Sequence, residues 1–268
     1  MGAYRMKIGI VAGSGILPFE LVREIKKQGN EALVVGLENE ASRELDKLAE
    51  RYQEISVCRL GEIISTLIAW EANVVVWAGK VGKRSLFMGG FDQTIQRILA
   101  NLPQKNDDAL LLAFVKEFEQ NGLKIAKQTK YLSELLVSAG ILYGEITTTE
   151  MIDVKLGFEM AKAIGGLDIG QSVVIKQGAV LAVEAIEGTD QAIIRGGKLG
   201  GPGSVVVKVS KPNQDERFDV PTVGLTTFES MAQVGATVLA IEAEKTFFLD
   251  RNACLAMAEA NKIKIIAL

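Results

Sequence analysis

Two α/β domains in succession, the first built on a parallel sheet, are predicted by three features of the sequence. Runs of β-branched and other apolar residues at 7–12, 31–37 and 73–78 alternate with stretches of helical periodicity. The first run breaks at Gly13-Ser14-Gly15, directly before a helical pattern. A chain of 268 residues, 48% of them hydrophobic, also has core enough for two domains of ordinary size. The expected division is 1–134 and 135–268, with the break in the weakly patterned stretch around 132–140.

In the first domain, 7–12 reads as a strand and 18–28 as a helix, with Phe19, Val22 and Ile25 on one side, Pro18 in the first turn and Gly29 after the last. A strand at 31–37 follows within three residues, so a parallel pair with a right-handed crossover is expected. A helix at 42–51, a strand at 54–58 and a helix at 61–71 continue the pattern. The stretch 73–78, NVVVWA, is apolar on both faces, as in a central strand covered by helices. Helices at 92–102 and 107–120 complete a Rossmann-like domain.

Gly13, Gly15 and Glu38 sit where a dinucleotide fingerprint places its tight turn and its ribose-binding acid, but Pro18 occupies the third glycine position. Gly13, Ser14 and Gly15 are therefore read as a turn for a nucleotide or another anion rather than as an NAD site. Beyond the fourth strand, Lys80, Lys83 and Arg84 stand where parallel sheets meet their ligands, although a solvated basic loop has the same composition. Asp107 and Asp108 crowd a helix start, where capping accounts for them and metal ligation is the alternative.

The second domain opens with a helix at 149–164, with caps offered by Thr147–Thr149 and termination by Gly165 and Gly166. A hairpin follows, 172–176 and 180–185 about a Gln177-Gly178 turn. The polar turn at Glu187-Gly188-Thr189-Asp190 leads into a helix closed by Gly196 and Gly197, with Thr189 or Asp190 as its cap. A strand at 205–209, a helix at 226–234, a strand at 237–242, a helix at 251–261 and a strand at 263–267 finish the α/β pattern. Glu184 stands out in an otherwise apolar strand, where a carboxylate needs a cation, a metal or a substrate hydroxyl; Lys176 is its candidate partner, and Glu242 is a weaker case of the same kind.

Composition narrows the chemistry. The formal net charge is -3 and no run gathers five or six like charges, so a nucleic-acid partner is not expected. Arg5 and Lys7 before an apolar run look superficially like a leader, but Gly13, Gly15, Pro18 and Glu20 fit a folded βα unit better, and a cytoplasmic protein is expected. Cys58 and Cys254 are read as reduced core thiols. Histidine is absent, which removes histidine bases and most zinc sites and leaves carboxylates, lysine, arginine and hydroxyls, with any metal a hard, oxygen-bound one.

The stretch QDERFDVPTVG, 214–224, concentrates Asp215, Glu216, Arg217 and Asp219 before Pro221 and Gly224. If it is extended, Asp215, Arg217 and Asp219 share one face, two carboxylates about a guanidinium, an arrangement suited to a hydrated Mg²⁺ and a phosphate. A solvated polar turn is the competing reading.

Together GSGILP at 13–18, LDIGQSVVIKQGAVLAVEAIEGTD at 167–190 and KPNQDERFDVPTVG at 211–224 resemble the UDP-2,3-diacylglucosamine pyrophosphatases of lipid A synthesis, the type unrelated to calcineurin-like phosphoesterases. The resemblance covers essentially the whole chain. It implies a Mg²⁺-assisted attack of water on the β-phosphorus of UDP-2,3-diacylglucosamine, giving UMP and 2,3-diacylglucosamine 1-phosphate (lipid X), in a two-domain enzyme with its substrate in the cleft between domains. Asp219 matches the family's essential aspartate. With Arg217 and Asp215 it forms the expected catalytic group, and with Asp107 and Asp108 the expected metal ligands. Gly13, Ser14, Gly15, Lys80, Lys83, Glu184, Thr189, Asp190 and Gln214 are the expected substrate contacts. A lipid substrate implies peripheral contact with the inner membrane, and a homodimer would suit so hydrophobic an α/β chain. The family pattern has glycine where this chain has Asn106 and Glu244. Two other readings stand beside this one: a non-catalytic binder of nucleotide sugars or lipids, and an NAD-dependent oxidoreductase.

Overall fold

Strands that are apolar on both faces must be covered on both faces, and each of the two sheets meets that demand with helices. The computed structural model describes residues 5–82, 90–102 and 107–268, the side chains of Asp107 and Asp108 excepted. The chain divides into one unit of Met1–Leu132 with Glu216–Phe218 and another of Ser133–Asp215 with Asp219–Leu268.

In the first unit, β1 (Lys7–Ala12), β2 (Glu31–Leu37), β3 (Arg51–Ile55) and β4 (Val74–Ala78) form a parallel sheet in the order β3-β2-β1-β4. Helix α1 (Leu17–Lys27) buries Pro18, Leu21, Val22 and Ile25. Val35, Leu37 and Val75 pack with residues of α2 (Leu60–Ala69), α3 (Gln93–Asn101) and α4 (Asp107–Gln120) in one cluster that includes Ile63, Ile95 and Phe118. The strands 7–12 and 31–37 fall where the sequence places them. The expected helix at 42–51 is only a 3₁₀ turn, Arg43–Lys47, and the following strand starts three residues early. That segment buries little beyond Leu45, too small an apolar stripe to hold a full helix. Tyr52 instead joins the sheet edge, fitted over Gly36, where a Cβ would lie 2.6 Å from its hydroxyl.

The second unit carries a six-stranded sheet in the order β5-β12-β10-β8-β6-β7. Its strands are β5 (Gly140–Tyr143), β6 (Ser172–Lys176), β7 (Ala179–Val183), β8 (Val205–Lys208), β10 (Val238–Ile241) and β12 (Lys264–Ala267). The central β8, β10 and β12 are parallel, flanked by antiparallel β6 and β5. The short strands β9 (Thr222–Val223) and β11 (Phe247–Phe248) pair separately. Strand periodicity sorts the core: Val173, Ile175, Val205, Val207, Val238 and Ala240 meet Val154 and Ala161 of α5 (Thr148–Gly166). Their neighbours Val174, Val206 and Leu239 cluster with Ile193 of α6 (Thr189–Gly200), Phe228 and Met231 of α7 (Leu225–Val234) and Cys254 of α8 (Arg251–Asn261).

Local chemistry explains the ends of these elements. Thr147 and Glu150 form the capping box of α5, as its Thr-rich start suggests. The Gln177-Gly178 turn has positive φ at both residues, and the buried Asp153 of α5 accepts both backbone N–H groups at 2.7 Å. Gly196 and Gly197 do not end α6. They lie inside it because a Cβ would fall 2.6 Å from Val174 and 2.2 Å from Val234, so the glycines set how closely the helix lies on the sheet and on α7. Gly165 and Gly166 likewise lie within the last turn of α5 rather than beyond it. Among the described residues no helix is long and apolar enough to cross a membrane. Cys58 and Cys254 are both buried, and burial with the nearby Asp250 pushes the Cys254 thiol up to about 12.

Glu150 yields a pH prediction. Burial raises its carboxyl, but hydrogen bonds from Lys264 Nζ at 2.8 Å and from Thr147 outweigh that and hold it below the ordinary value of 4.5. The resulting stability is present above that value and is lost as pH falls through the lower folded-state one. Denaturant melts at neutral pH and near pH 3 should therefore converge for Glu150→Gln relative to wild type, and an equal gap would refute this. Gly13→Ala places a Cβ 2.3 Å from the Lys80 carbonyl oxygen and should destabilise the first unit by about 1–3 kcal/mol in urea titrations.

Candidate active site at the carboxyl edge of the second sheet

The parallel strands β8 and β10 end at Lys208 and Ile241, and antiparallel β6 begins opposite, with Ser172 beside Lys208. This edge gathers the polar groups that both faces of the sheet exclude. Lys208 is 8% exposed; its Nζ donates to Thr189 Oγ1 at 3.1 Å and to the Thr222 carbonyl at 2.9 Å. An ammonium only donates, so the Thr189 hydroxyl proton is directed elsewhere, to Glu184 Oε1 at 2.9 Å. Glu184, also buried, takes the Gln171 N–H on its other oxygen at 3.2 Å, and Ser172 Oγ lies 3.3 Å from Thr189 Oγ1. Glu184 thus stands one residue beyond β7, and Thr189 links it to Lys208. Lys176 is not its partner, since that ammonium donates to the carbonyls of Gly200 and Pro202. Neither Thr189 nor Asp190 caps α6: the cap position is Gly188, and both side chains lie in the first turn.

A second buried carboxylate follows β10. Glu242 binds Lys162 Nζ with both oxygens, at 2.8 and 2.6 Å, and accepts the Ser210 N–H at 2.7 Å; Lys245 Nζ lies 3.3 Å away. Burial raises the Glu242 carboxyl, and these bonds more than reverse the effect, so it stays below the usual carboxylate range.

The loop after β8 carries the expected catalytic group. Gln214 Nε2 donates to both the carbonyl and Oδ2 of Asp219, Lys211 N–H donates to Gln214 Oε1 at 2.9 Å, and Lys211 Nζ lies 2.6 Å from Asp168 Oδ1 and 3.8 Å from Asp219 Oδ2. The stretch is not extended. Asp219 N–H closes onto the Asp215 carbonyl at 3.1 Å around a turn at Glu216–Phe218, so Asp215, Arg217 and Asp219 do not share a strand face. The turn follows from Phe218, whose ring joins the first unit's core 6.0 Å from Trp77, with the Gln128 N–H holding the Glu216 carbonyl at 2.8 Å. Arg217 belongs to that first unit, 3.8 Å from Glu119, whereas Asp215 and Asp219 belong to the second.

In the first unit, Gly13 and Ser14 follow β1, and Lys80 follows β4. Gly13 N–H donates to Ala78, and Ser14 and Lys80 exchange backbone hydrogen bonds at 2.8 and 2.9 Å, with Ser14 Oγ also on the Lys80 carbonyl. Gly13 and Gly79 are required where the two chains approach, and Gly15 takes a φ of +97°. Lys83, Arg84 and Asn106 lie outside the described residues, as do the side chains of Asp107 and Asp108, which begin α4. Glu244, at φ +59°, holds the left-handed conformation that glycine adopts without strain. Among the described residues no group of three or more Asp, Glu or Cys side chains is placed to hold a metal.

Family comparison covers both units: residues 7–135 match the LpxI N-terminal domain and residues 138–266 the LpxI C-terminal domain. The chain belongs to the LpxI family. It is 32% identical over 266 residues, 94% of each chain, to the UDP-2,3-diacylglucosamine pyrophosphatase LpxI of Caulobacter vibrioides. Solved structures are more distant. A nucleoside-diphosphate-sugar epimerase from Pseudomonas aeruginosa is 12% identical over 96% of this chain and 85% of its own, with a TM-score of 0.28. The biotin carboxylase subunit of a pyruvate carboxylase is 16% identical over 73% of this chain and 42% of its own, with a TM-score of 0.29, and a 2-oxoglutarate carboxylase domain is spanned over 35% of its length. At such scores none of these likenesses establishes a shared fold.

Lys208, Lys162, Lys211 and Ser210 of this LpxI-family chain escape the sequence reading, although Lys208 carries the same signal that singles out Glu184, a charge ending an apolar strand. The Glu184–Thr189–Lys208 chain makes a prediction. Thr189→Val removes the hydroxyl that joins the two buried charges and should destabilise the second unit by about 1–3 kcal/mol, whereas Thr189→Ser should lose much less. Equal melting of the two variants would refute the linkage.

Proposed function

We propose that the chain hydrolyses the diphosphate of UDP-2,3-diacylglucosamine, releasing UMP and lipid X in the synthesis of lipid A. The observation that carries this reading is identity of 32% across 94% of a relative named for that activity. The carboxyl-edge geometry supports it. Asp219 is held by Gln214 and neighbours Lys211, so a fixed carboxylate stands beside a cation. In this reading Asp219 orients the attacking water, and the lysine beside it favours the charge that grows on the phosphoryl oxygens.

Asp219, Asp107 and Asp108 are the residues we assign to a hydrated Mg²⁺, whose remaining positions water and the substrate's phosphate oxygens would fill. The ion when bound neutralises charge on the diphosphate. Arg217 and Asp215, Glu184, Thr189, Asp190 and Gln214, and in the first unit Gly13, Ser14, Gly15, Lys80 and Lys83, are assigned to catalysis or to the substrate as the resemblance suggests. Of these, Gln214 acts by holding Asp219. A cytoplasmic setting, contact with a membrane surface and self-association belong to the same proposal.

The test is UMP release from UDP-2,3-diacylglucosamine with and without Mg²⁺. Wild type should release UMP only with the ion, and Asp219→Ala should lose at least about 100-fold while melting normally. No release by folded wild type would overturn the assignment.

A further inference from the structure

Asp219 is carried on a loop, yet its approach to β8 is tied down at a single residue. Ser210, 4% exposed, is the second residue after that strand. Its N–H donates to Glu242 Oε2 at 2.7 Å, and its carbonyl accepts from Lys162 Nζ at 2.7 Å. Glu242 and Lys162 in turn bind each other through both carboxylate oxygens, while the Glu242 N–H holds the Lys208 carbonyl at 3.2 Å. Helix α5, the end of β8 and the end of β10 thereby meet on one residue. From there the bonding continues without a gap: Lys211, next in the chain, gives its N–H to Gln214, and Gln214 gives its amide to Asp219.

We infer that Glu242 and Lys162 are positioning residues that fix Asp219 through Ser210, Lys211 and Gln214. The inference rests on the proposed hydrolysis for its catalytic meaning, and on geometry alone for its structural one. Uncharged groups of like volume commonly replace such an ion pair at little cost in stability. What apolar groups cannot do is hold the N–H and the carbonyl of one residue at once. Lys245 Nζ also lies 3.3 Å from the Glu242 carboxylate, and the Phe158 ring lies 5.7 Å from the Lys162 ammonium.

The test uses the full chain and the double variant Glu242→Leu/Lys162→Met, which removes both charges and the acceptor of the Ser210 N–H together, since Glu242→Gln keeps an acceptor and leaves Lys162 without its counter-charge. The double variant should melt close to wild type. Its kcat should fall about 10- to 100-fold with KM within about threefold, the loss expected when a reacting group is displaced by about an ångström. Amide hydrogen exchange in a peptide spanning 210–219 should quicken at least about tenfold. As a comparison, Glu150→Gln/Lys264→Met removes another ion pair of the same unit and should leave kcat and that exchange unchanged. Wild-type kcat in a double variant of wild-type stability overturns the inference, and so does unchanged exchange in 210–219. Absence of UMP release by wild type refutes the hydrolysis instead, and exchange alone then decides whether the clamp holds the loop.

Discussion

Parallel strands covered on both faces leave polar side chains one place to go, the strand ends, and that constraint organises the second unit. Val205, Val206 and Val207 are buried to within 1% exposure on alternate sides of β8, so Lys208 is the first position at which a charge can stand. The neighbouring ends supply what that charge needs. Ser172 enters beside it, Thr189 opens α6 above it, and Glu184 closes the chain of hydrogen bonds. One strand further, Glu242 and Lys162 repeat the solution around Ser210. The carboxyl edge is thus a row of buried and partly buried charges, each held by donors or acceptors with fixed direction, which is the condition for a preorganised site.

The loop that follows answers to two masters. Its ends, Ser210 and Val220, are buried in the second unit, while Glu216–Phe218 pack with the first, where Phe218 sits against Trp77 and Thr129 holds Glu216. A charged run whose spacing also suits an extended strand is folded into a turn by one aromatic ring and one backbone hydrogen bond from Gln128. Asp219 and Arg217, two positions apart in sequence, therefore belong to different units. Any joint action on a phosphate depends on tertiary geometry and not on their spacing.

Much of the fold was legible because period and punctuation agree. The strands at 7–12 and 31–37, the hairpin with its Gln177-Gly178 turn and the Thr147 cap stand where local chemistry puts them. Misreadings occurred where a residue's role was set by what lies across from it. Gly196 and Gly197 look like a helix end but are contact points for Val174 and Val234. Lys176 lies close in sequence to Glu184, yet it serves the carbonyls that end α6. In the first unit, Gly13 and Ser14 join β1 to the segment after β4, a pairing that local residue order does not announce.

By itself the sequence determined the α/β class, the parallel first sheet, the absence of histidine chemistry and the family to which the chain belongs, through motifs at 13–18, 167–190 and 211–224. Each of these depends on local periodicity, composition or residue order. Only the tertiary structure decided which charges meet: Glu184 with Thr189 and Lys208, Glu242 with Lys162 and Ser210, Asp219 with Gln214 and Lys211. Lys162 and Glu242 are eighty positions apart, and no period or propensity connects them. Their pairing follows from strand order, which brings the ends of β8 and β10 side by side, and from the high cost of leaving the Glu242 carboxylate buried alone.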